Sequence, residues 1–276
     1  MSRRVLGVAA IVAGCCAPAV AHETWLMPSA FVARVGEEVR LDLSSGMAFP
    51  RLESPIQVQR IANASYRLGH AEGRIAKRDV RESSLVLRQV FSREGLATIW
   101  LDLKPRDIEL SDDKVAEYLD EIDATEEIRS IWAEQKGLIP WHETYTKHAK
   151  TFVSIGDGKS DVSWRTGVGA AMELVPTANP CAVLAGDTGS VQLQVNSKPL
   201  AAWPVGLLME GASQRIFRVT DAKGVATFSM DRPGRAMFFA VRLQFDNDRK
   251  SWNSDFCTMT FDVRLGRAPA APEAAR

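Results

Sequence analysis

One of the four histidines of the chain directly follows a small-x-small sequence near the amino terminus. His22 comes after Ala19-Val20-Ala21, and the preceding segment has the parts of a secretory signal: Arg3 and Arg4, then an apolar run too short to span a membrane. Cleavage after Ala21 makes His22 the first residue of the mature protein. The α-amine and the imidazole of one residue can then chelate a metal ion together, and Cu(II) and Ni(II) favour such nitrogen donors.

Two other processing sites give His22 a different chemistry. The segment Val12-Ala13-Gly14-Cys15 resembles a lipobox, in which Cys15 is acylated and anchors a lipoprotein. Cleavage after Ala19 leaves His22 third from the amine, where the amine, two backbone amides and the imidazole form a square-planar site for Cu(II) or Ni(II). We predict a periplasmic protein that starts at His22, with the lipoprotein anchored at Cys15 as the alternative.

The segment HETYTKHAKTFVSIG, residues 142–156, holds the candidate partners of His22. His142 and His148 are the candidate additional metal ligands. Six residues of a straight strand span about 20 Å, so at most one of these two histidines can join His22 on one ion. The predicted cofactor is a divalent transition metal, Ni, Co or Cu, and the alternative is no cofactor.

The amino terminus is expected to pack beside this middle segment. In that arrangement, His22 lies near a carboxylate or a second imidazole that orients it, as the outer-shell partners of metal ligands do. The residues expected to surround His22 are Glu23, Trp25, Glu143 and Tyr145. The alternative is that Trp25 only anchors the first strand and His22 extends into solvent.

Two cysteines, Cys181 and Cys257, remain once the signal is removed. In an oxidising compartment we expect one disulfide between them. Closing a loop of this length contributes on the order of 4 kcal/mol in the chain-entropy description. Two distant cysteines without neighbouring histidines are poor support for a thiolate metal site.

Hydrophobic periodicity predicts a mainly β protein. Stretches such as EEVRLDLSSG from Glu37 alternate apolar and polar residues, which is typical of half-buried strands, whereas the acidic segment 106–136 has apolar residues at helical spacing. The expected architecture is two antiparallel β-sandwiches, Ig-like or transthyretin-like, with a helical insertion between them. The predicted divisions are a signal peptide 1–21, a sandwich 22–105, the insertion 106–140, connecting strands 141–180, a second sandwich 181–266 and a disordered tail 267–276.

Several stretches together resemble a bacterial periplasmic family, the domain of unknown function 4198, formerly described as a nickel-uptake substrate-specific component. They are AHETWLMPS at the mature start, HETYTKHAKTFVSIGD in the middle, and KPLAAWPVGLLMEG with VTDAKGVATFSMDRPGRAMFFAVRL towards the end. The resemblance implies a periplasmic protein with an Ig-like or transthyretin-like end, and it highlights His22, Trp25, Leu26, Glu143, Tyr145, Ala149 and Lys150. His148 replaces a usual aromatic residue, and Met47 stands where a polar residue is expected.

These observations predict a periplasmic, non-enzymatic binding or accessory protein that handles Ni, Co or Cu in uptake or homeostasis. The first alternative is a metal-free interaction module that serves an outer-membrane receptor or transport component. The second is a copper-dependent polysaccharide oxidase, which needs a second histidine within bonding reach of His22. No Gly-x-Ser-x-Gly or His-Glu-x-x-His motif is present, and the formal net charge of 0 gives no reason to expect binding to nucleic acid.

Overall fold

The computed structural model describes residues 22–158, 160–212 and 214–266, and these form a mainly β protein with two α-helices. The predicted signal peptide 1–21 and the predicted disordered tail 267–276 lie outside the described residues. No helix in the described ranges is long and apolar enough to cross a membrane.

The strands are, in chain order, β1 Glu23–Pro28, β2 Val32–Ala33, β3 Glu38–Gly46, β4 Ser54–Pro55, β5 Ile61–Leu68, β6 Ala71–Arg74, β7 Arg78–Val80, β8 Leu85–Val90, β9 Gly95–Leu103, β10 Arg106–Leu110, β11 Trp141–Ile155, β12 Met172–Pro176, β13 Thr188–Val195, β14 Lys198–Pro199, β15 Pro204–Met209, β16 Ile216–Val219, β17 Val225–Ser229, β18 Gly234–Asp246 and β19 Ser251–Val263. The helices are α1 Asp112–Glu121 and α2 Glu126–Gln135.

A ten-stranded sheet lies in the middle of the protein and contains strands from both halves of the chain. Its order is β16-β15-β18-β19-β11-β9-β5-β6, and β10 and β2 also pair with β11. β11 pairs in parallel with β19 from Glu143 to Thr151 and antiparallel with β9 from Phe152 to Ile155. The predicted arrangement of two separate sandwiches is therefore not confirmed, and β11 is a central strand rather than a connection.

Two smaller sheets pack against this middle sheet through opposite faces of β11. Val153 of β11 belongs to an apolar cluster with Leu41 and Leu87 of the five-stranded sheet, which has the order β1-β3-β8-β7 with β4 on β3. Phe152 belongs to a second cluster with Leu174, from the four-stranded sheet of β12, β13, β14 and β17. Successive side chains of a strand point to opposite faces, so β11 is covered on both sides.

The two helices pack beside the start of β11. Val115 and Tyr118 of α1 lie in a third apolar cluster with Trp141 and Trp252, as the helical spacing of the apolar residues predicts. A break separates the helices, and the Thr125 side chain caps α2 by accepting a hydrogen bond from the Ile128 backbone N–H. At α1, Ser111 holds the N-cap position without a side-chain hydrogen bond.

Strand β1 is fixed to the middle sheet by two buried threonines of β19. The Thr258 hydroxyl donates to the Thr24 carbonyl at 2.7 Å, and the Thr260 hydroxyl donates to the Leu26 carbonyl at 2.6 Å. Between these two contacts Trp25 is fully buried and packs edge-on against Phe49. The position of the residue before β1, His22, is thereby constrained.

A buried ion pair joins the middle sheet to β12 of the four-stranded sheet. Lys150 Nζ donates to Glu173 Oε2 at 2.5 Å and to the Leu174 carbonyl at 3.1 Å. The Glu173 carboxylate also accepts hydrogen bonds from the backbone N–H groups of Val168 and Gly169. Lys150 and Glu173 are 5% and 1% exposed, so each charge depends on the other for compensation.

The predicted disulfide is wrong, because Cys181 and Cys257 are both free thiols. Cys257 lies within β19, paired with Ala240, and its side chain is buried in the apolar cluster of the four-stranded sheet. The Cys181 sulfur lies 4.0 Å from the Phe31 carbonyl. Burial raises the pKa of both thiols, that of Cys181 to about 12, which keeps them protonated and unreactive.

The free thiols can be counted by mass. Protein purified without reductant, unfolded in denaturant and treated with an alkylating reagent, should gain two alkyl groups, whereas the folded protein should react slowly. An unmodified mass after denaturation would mean that the disulfide forms after all.

The Lys150–Glu173 pair predicts a large stability loss. Lys150→Met leaves the Glu173 carboxylate buried without its counter-charge and should lower the free energy of unfolding by about 3–5 kcal/mol. Lys77→Met is the matched control, because Lys77 pairs with Glu38 on the surface, and its effect should be small. Urea unfolding of both variants tests this, and equal effects would contradict it.

Candidate functional site

A small cavity lies where the start of β1 meets β10, β11 and α1. We call it the His22 pocket, and its lining residues are His22, Ile108, Leu110, Tyr118, Glu143, Tyr145, Lys147 and Phe256. Its volume is about 30 Å³. One water needs about 10–15 Å³ in this measure, so the pocket holds a group the size of about two waters.

Strand register explains why these side chains converge. The side chains of residues 143, 145 and 147 lie on the same face of β11, because successive side chains of a strand point to opposite faces. The residue of β19 that pairs with Lys147 is Phe256. On the other side, β10 places Ile108 opposite Glu143 and Leu110 opposite Trp141. The expected contact between the amino-terminal segment and the middle segment is therefore present.

Glu143 is a buried carboxylate held by three side-chain donors. It accepts a hydrogen bond from Tyr118 Oη at 3.1 Å, one from Trp141 Nε1 at 2.9 Å, and a short one from the Ser254 hydroxyl. Burial raises the pKa of Glu143, and the three hydrogen bonds act in the opposite direction by favouring the ionised form. The carboxylate is thus fixed in orientation, with its donors supplied by three different elements.

Lys147 holds the backbone of His22. Its ammonium donates to the His22 carbonyl at 2.5 Å and lies over the rings of Tyr145 and Phe256, 5.3 Å and 4.9 Å from their centroids. Burial lowers the pKa of Lys147 to about 8. Lys147 therefore carries a positive charge at pH 7 and places it at the pocket wall.

His22 is half-buried at the edge of the pocket. Its pKa is lowered by burial and, secondly, by the positive charge of Lys147. The imidazole is consequently neutral at pH 7, which is the form that binds metal ions. Cleavage after Ala21 would convert the His22 backbone nitrogen into an α-amine next to this neutral ring.

Glu23 and Trp25 were expected to surround His22, but both anchor β1 instead. Glu23 is 2% exposed and forms an ion pair with Arg215 at 2.7 Å, and Arg215 also donates to the Glu121 carbonyl at the end of α1. Burial raises the pKa of Glu23. Of the four predicted neighbours, only Glu143 and Tyr145 line the pocket.

His142 and His148 are not brought to His22. Both are even-numbered residues of β11, so their side chains lie on the face opposite Glu143, Tyr145 and Lys147. His142 is half-exposed, and its Nδ1 lies 3.2 Å from a carboxylate oxygen of Glu109. Neither candidate additional ligand therefore reaches His22, and the described residues contain no group of three or more His, Cys, Asp or Glu residues that could hold a metal ion.

His148 instead bridges the carboxylates of two neighbouring strands. Its Nδ1 lies 2.7 Å from Asp102 on β9, and its Nε2 lies 3.8 Å from Asp255 on β19. Burial opposes the protonated form, but the interactions with Asp102 and then Asp255 raise the pKa of His148 to about 9. His148 is thus a cation that holds adjacent strands of the middle sheet together.

Sequence reasoning did not assign to the site two residues that line the pocket, Lys147 and Tyr118, and one that holds Glu23, Arg215. Lys147 lies two positions after Tyr145 on the same face of a strand, so the alternation contained the signal for it. Tyr118 and Arg215 come from a helix and a loop far away in sequence, and no local pattern indicates that they reach this site.

The raised pKa of His148 predicts a pH-dependent stabilisation. Because the folded pKa of about 9 exceeds the unfolded value of 6.5, the contribution is complete below pH 6.5 and is lost as the pH rises through 9. It amounts to at most about 3 kcal/mol. The difference in unfolding free energy between the wild type and His148→Asn, measured from pH 6 to 10, should shrink over that range. A difference that does not vary with pH would contradict the assignment.

Comparison with known proteins identifies a family and gives weak structural similarity. No curated protein matches the chain. Among crystal structures, a fragment of the ICAM-5 ectodomain, domains D1–D4, has a TM-score of 0.24 at 13% identity, covering 92% of this chain and 55% of that one. Murine CEACAM1b has a TM-score of 0.22 at 8% identity, covering 88% and 100%. The chain thus spans about half the length of the ICAM-5 fragment.

The family comparison covers most of the chain and confirms the resemblance noted in the sequence. The model of the domain of unknown function (DUF4198) matches residues 19–243. The matched range includes His22, Glu143, Tyr145 and Lys147. The chain therefore belongs to the DUF4198 family.

Proposed function

We propose that this chain is an exported, non-enzymatic binding protein of the periplasm whose ligand site is the His22 pocket. The observation that carries the proposal is the convergence of His22 with Glu143, Tyr145 and Lys147 in one small cavity. Cleavage after Ala21 would give this pocket a free α-amine. The signal-like segment before His22 supports the export that this cleavage requires.

A divalent transition metal is the ligand that the donor chemistry of His22 favours. The α-amine and the imidazole supply two nitrogen donors from one residue, which suits Cu(II), Ni(II) or Co(II). The lowered pKa of His22 supports this, because a neutral imidazole does not have to lose a proton before it binds. Ligands from solution would fill the remaining coordination positions, since the described residues hold no cluster of three or more His, Cys, Asp or Glu residues that could complete the site. A place in metal uptake beside an outer-membrane transport component is consistent with such a site.

A metal-free interaction module is the second candidate, and the charge of Lys147 favours it. The ammonium is hydrogen-bonded to the residue that would bind the metal, so it repels a cation at that position. In this alternative the pocket receives part of another molecule, and His22 only lines its edge.

The copper-dependent polysaccharide oxidase receives no support from the geometry. It needs a second histidine within bonding reach of His22, and the lining of the His22 pocket contains none. His142 lies beside Glu109 and His148 beside Asp102 on the other face of β11.

Metal titration of correctly processed protein separates the two candidates. The intact mass first establishes that the exported protein begins at His22 rather than at Val20 or an acylated Cys15. Calorimetric titration with Cu(II), Ni(II), Co(II) and Zn(II) should then give one tight site per chain. His22→Ala should weaken binding of the preferred metal by at least about tenfold, because the imidazole donor is lost.

A protein that starts at Ala17 is the matched control for the α-amine. It keeps the His22 imidazole but converts the His22 amine into a peptide nitrogen, and Pro18, which has no N–H, separates the new amine from the amides next to His22. It should therefore lose affinity much as His22→Ala does. If wild type, His22→Ala and the Ala17-extended protein bind all four metals equally weakly, the metal proposal fails and the interaction module is favoured.

A further inference from the structure

Lys147 has unused hydrogen-bonding capacity at the wall of the His22 pocket. Its only hydrogen-bond acceptor in the described part of the chain is the His22 carbonyl, although an ammonium has three donor hydrogens. The nearest carboxylates, Glu23 and Glu143, are held by other donors: Arg215 pairs with Glu23, and three side chains bind Glu143. No carboxylate of the described residues lies within ion-pair distance of the Lys147 ammonium.

A second cation shares the ring of Tyr145 with Lys147. The Arg60 guanidinium lies over this ring at 5.3 Å, the same distance as the Lys147 ammonium. Arg60 Nε is buried and has no hydrogen-bond partner among the described residues, and Arg60 forms no ion pair there. Arg60 does not itself line the pocket. Buried donors of this kind are normally satisfied, so an orphaned guanidinium nitrogen and an ammonium without an ion-pair partner, both over the same ring, point to a missing anion.

The dimensions of the pocket restrict which anion fits. A volume of about 30 Å³ accepts a carboxylate group but not a large ligand. Ile108, Leu110 and Phe256 supply apolar walls next to the Lys147 ammonium, which suit a methyl or ethyl group. A small monocarboxylate therefore matches both the charge and the apolar walls better than inorganic phosphate, which is polar on every side.

We propose that the His22 pocket binds the carboxylate of a small organic acid of the size of acetate or propionate. Lys147 donates to the carboxylate, Arg60 adds a second positive charge, and the short alkyl group contacts the apolar walls. This site does not depend on a metal at His22. Where both ligands bind, the anion offsets the charge of Lys147 that otherwise repels the cation.

The test uses metal-free protein beginning at His22, prepared over a chelating resin in a low-chloride buffer near pH 7. ¹³C-labelled acetate is titrated and followed by NMR, with propionate as a competitor and with acetamide and inorganic phosphate as comparison probes. We expect saturable binding of acetate, displacement by propionate, and no saturable binding of the neutral, equally large acetamide.

Substitutions then assign the binding to the two cations. Lys147→Met should weaken acetate binding by at least about tenfold, as loss of a charge-assisted hydrogen bond predicts, and Arg60→Met should weaken it less. Lys136→Met is the matched control, because Lys136 also lies 4.9 Å from an aromatic ring centroid, that of Trp132, but outside the pocket. It should leave acetate binding unchanged.

Several results would overturn the proposal: no saturable acetate binding, equal binding of acetamide, tighter binding of phosphate than of acetate, or unchanged acetate binding in a folded Lys147→Met. If Lys147→Met does not fold, the wild-type comparison of acetate with acetamide and the Arg60→Met variant still decide the question. The acetate titration uses metal-free protein, so failure of the metal chelate and failure of the carboxylate site give different results.

Discussion

The parallel pairing of β11 with β19 joins the middle of the chain to its end, and the other features of the molecule depend on it. Along Glu143 to Thr151, this pairing places Ser254 beside the Glu143 carboxylate and Phe256 beside Lys147. From Ala149 to Val153, β11 is buried on both faces, which is typical of strands inside a parallel arrangement. A shift of one residue in this register would turn Glu143 and Lys147 away from the pocket and bring His142 and His148 into it.

The amino terminus gains a fixed position from the same sheet. Thr258 and Thr260 donate to carbonyls of β1, Trp25 fills the core between them, and Lys147 donates to the His22 carbonyl. These contacts hold the backbone as far as His22, which would be the first residue of the chain after cleavage of the signal. A terminus held in this way loses little conformational freedom on binding a ligand, so its donor groups are pre-organised.

The charges of the pocket are unequally compensated. Glu23 and Glu143 each accept hydrogen bonds from other side chains. Neither Lys147 nor Arg60 forms an ion pair with a carboxylate of the described residues. The surroundings of His22 therefore carry excess positive charge, which opposes a bare cation and attracts an anion. A metal ion at His22 would therefore bind most favourably together with an anion that offsets this charge.

The sequence by itself determined the local features of this protein. Alternation predicted strands such as β3 and β11, and helical spacing in the acidic segment 106–136 predicted helical structure there. The stretches around His22 and Glu143 predicted the family and the meeting of the two segments. These features rest on periods of two or 3.6 residues and on short motifs, which neighbouring residues define. Tertiary structure alone decided which strands pair, and so it decided that the two halves share one sheet and that Cys181 and Cys257 stay apart. It also decided that Tyr118 lines the pocket, that Arg60 lies over the Tyr145 ring and that Arg215 pairs with Glu23. Each of these outcomes depends on contacts between residues that are distant in the chain. Strand pairing brings such residues together through backbone hydrogen bonds, and these bonds are the same whatever the side chains are, so a local sequence pattern does not reveal which strands pair.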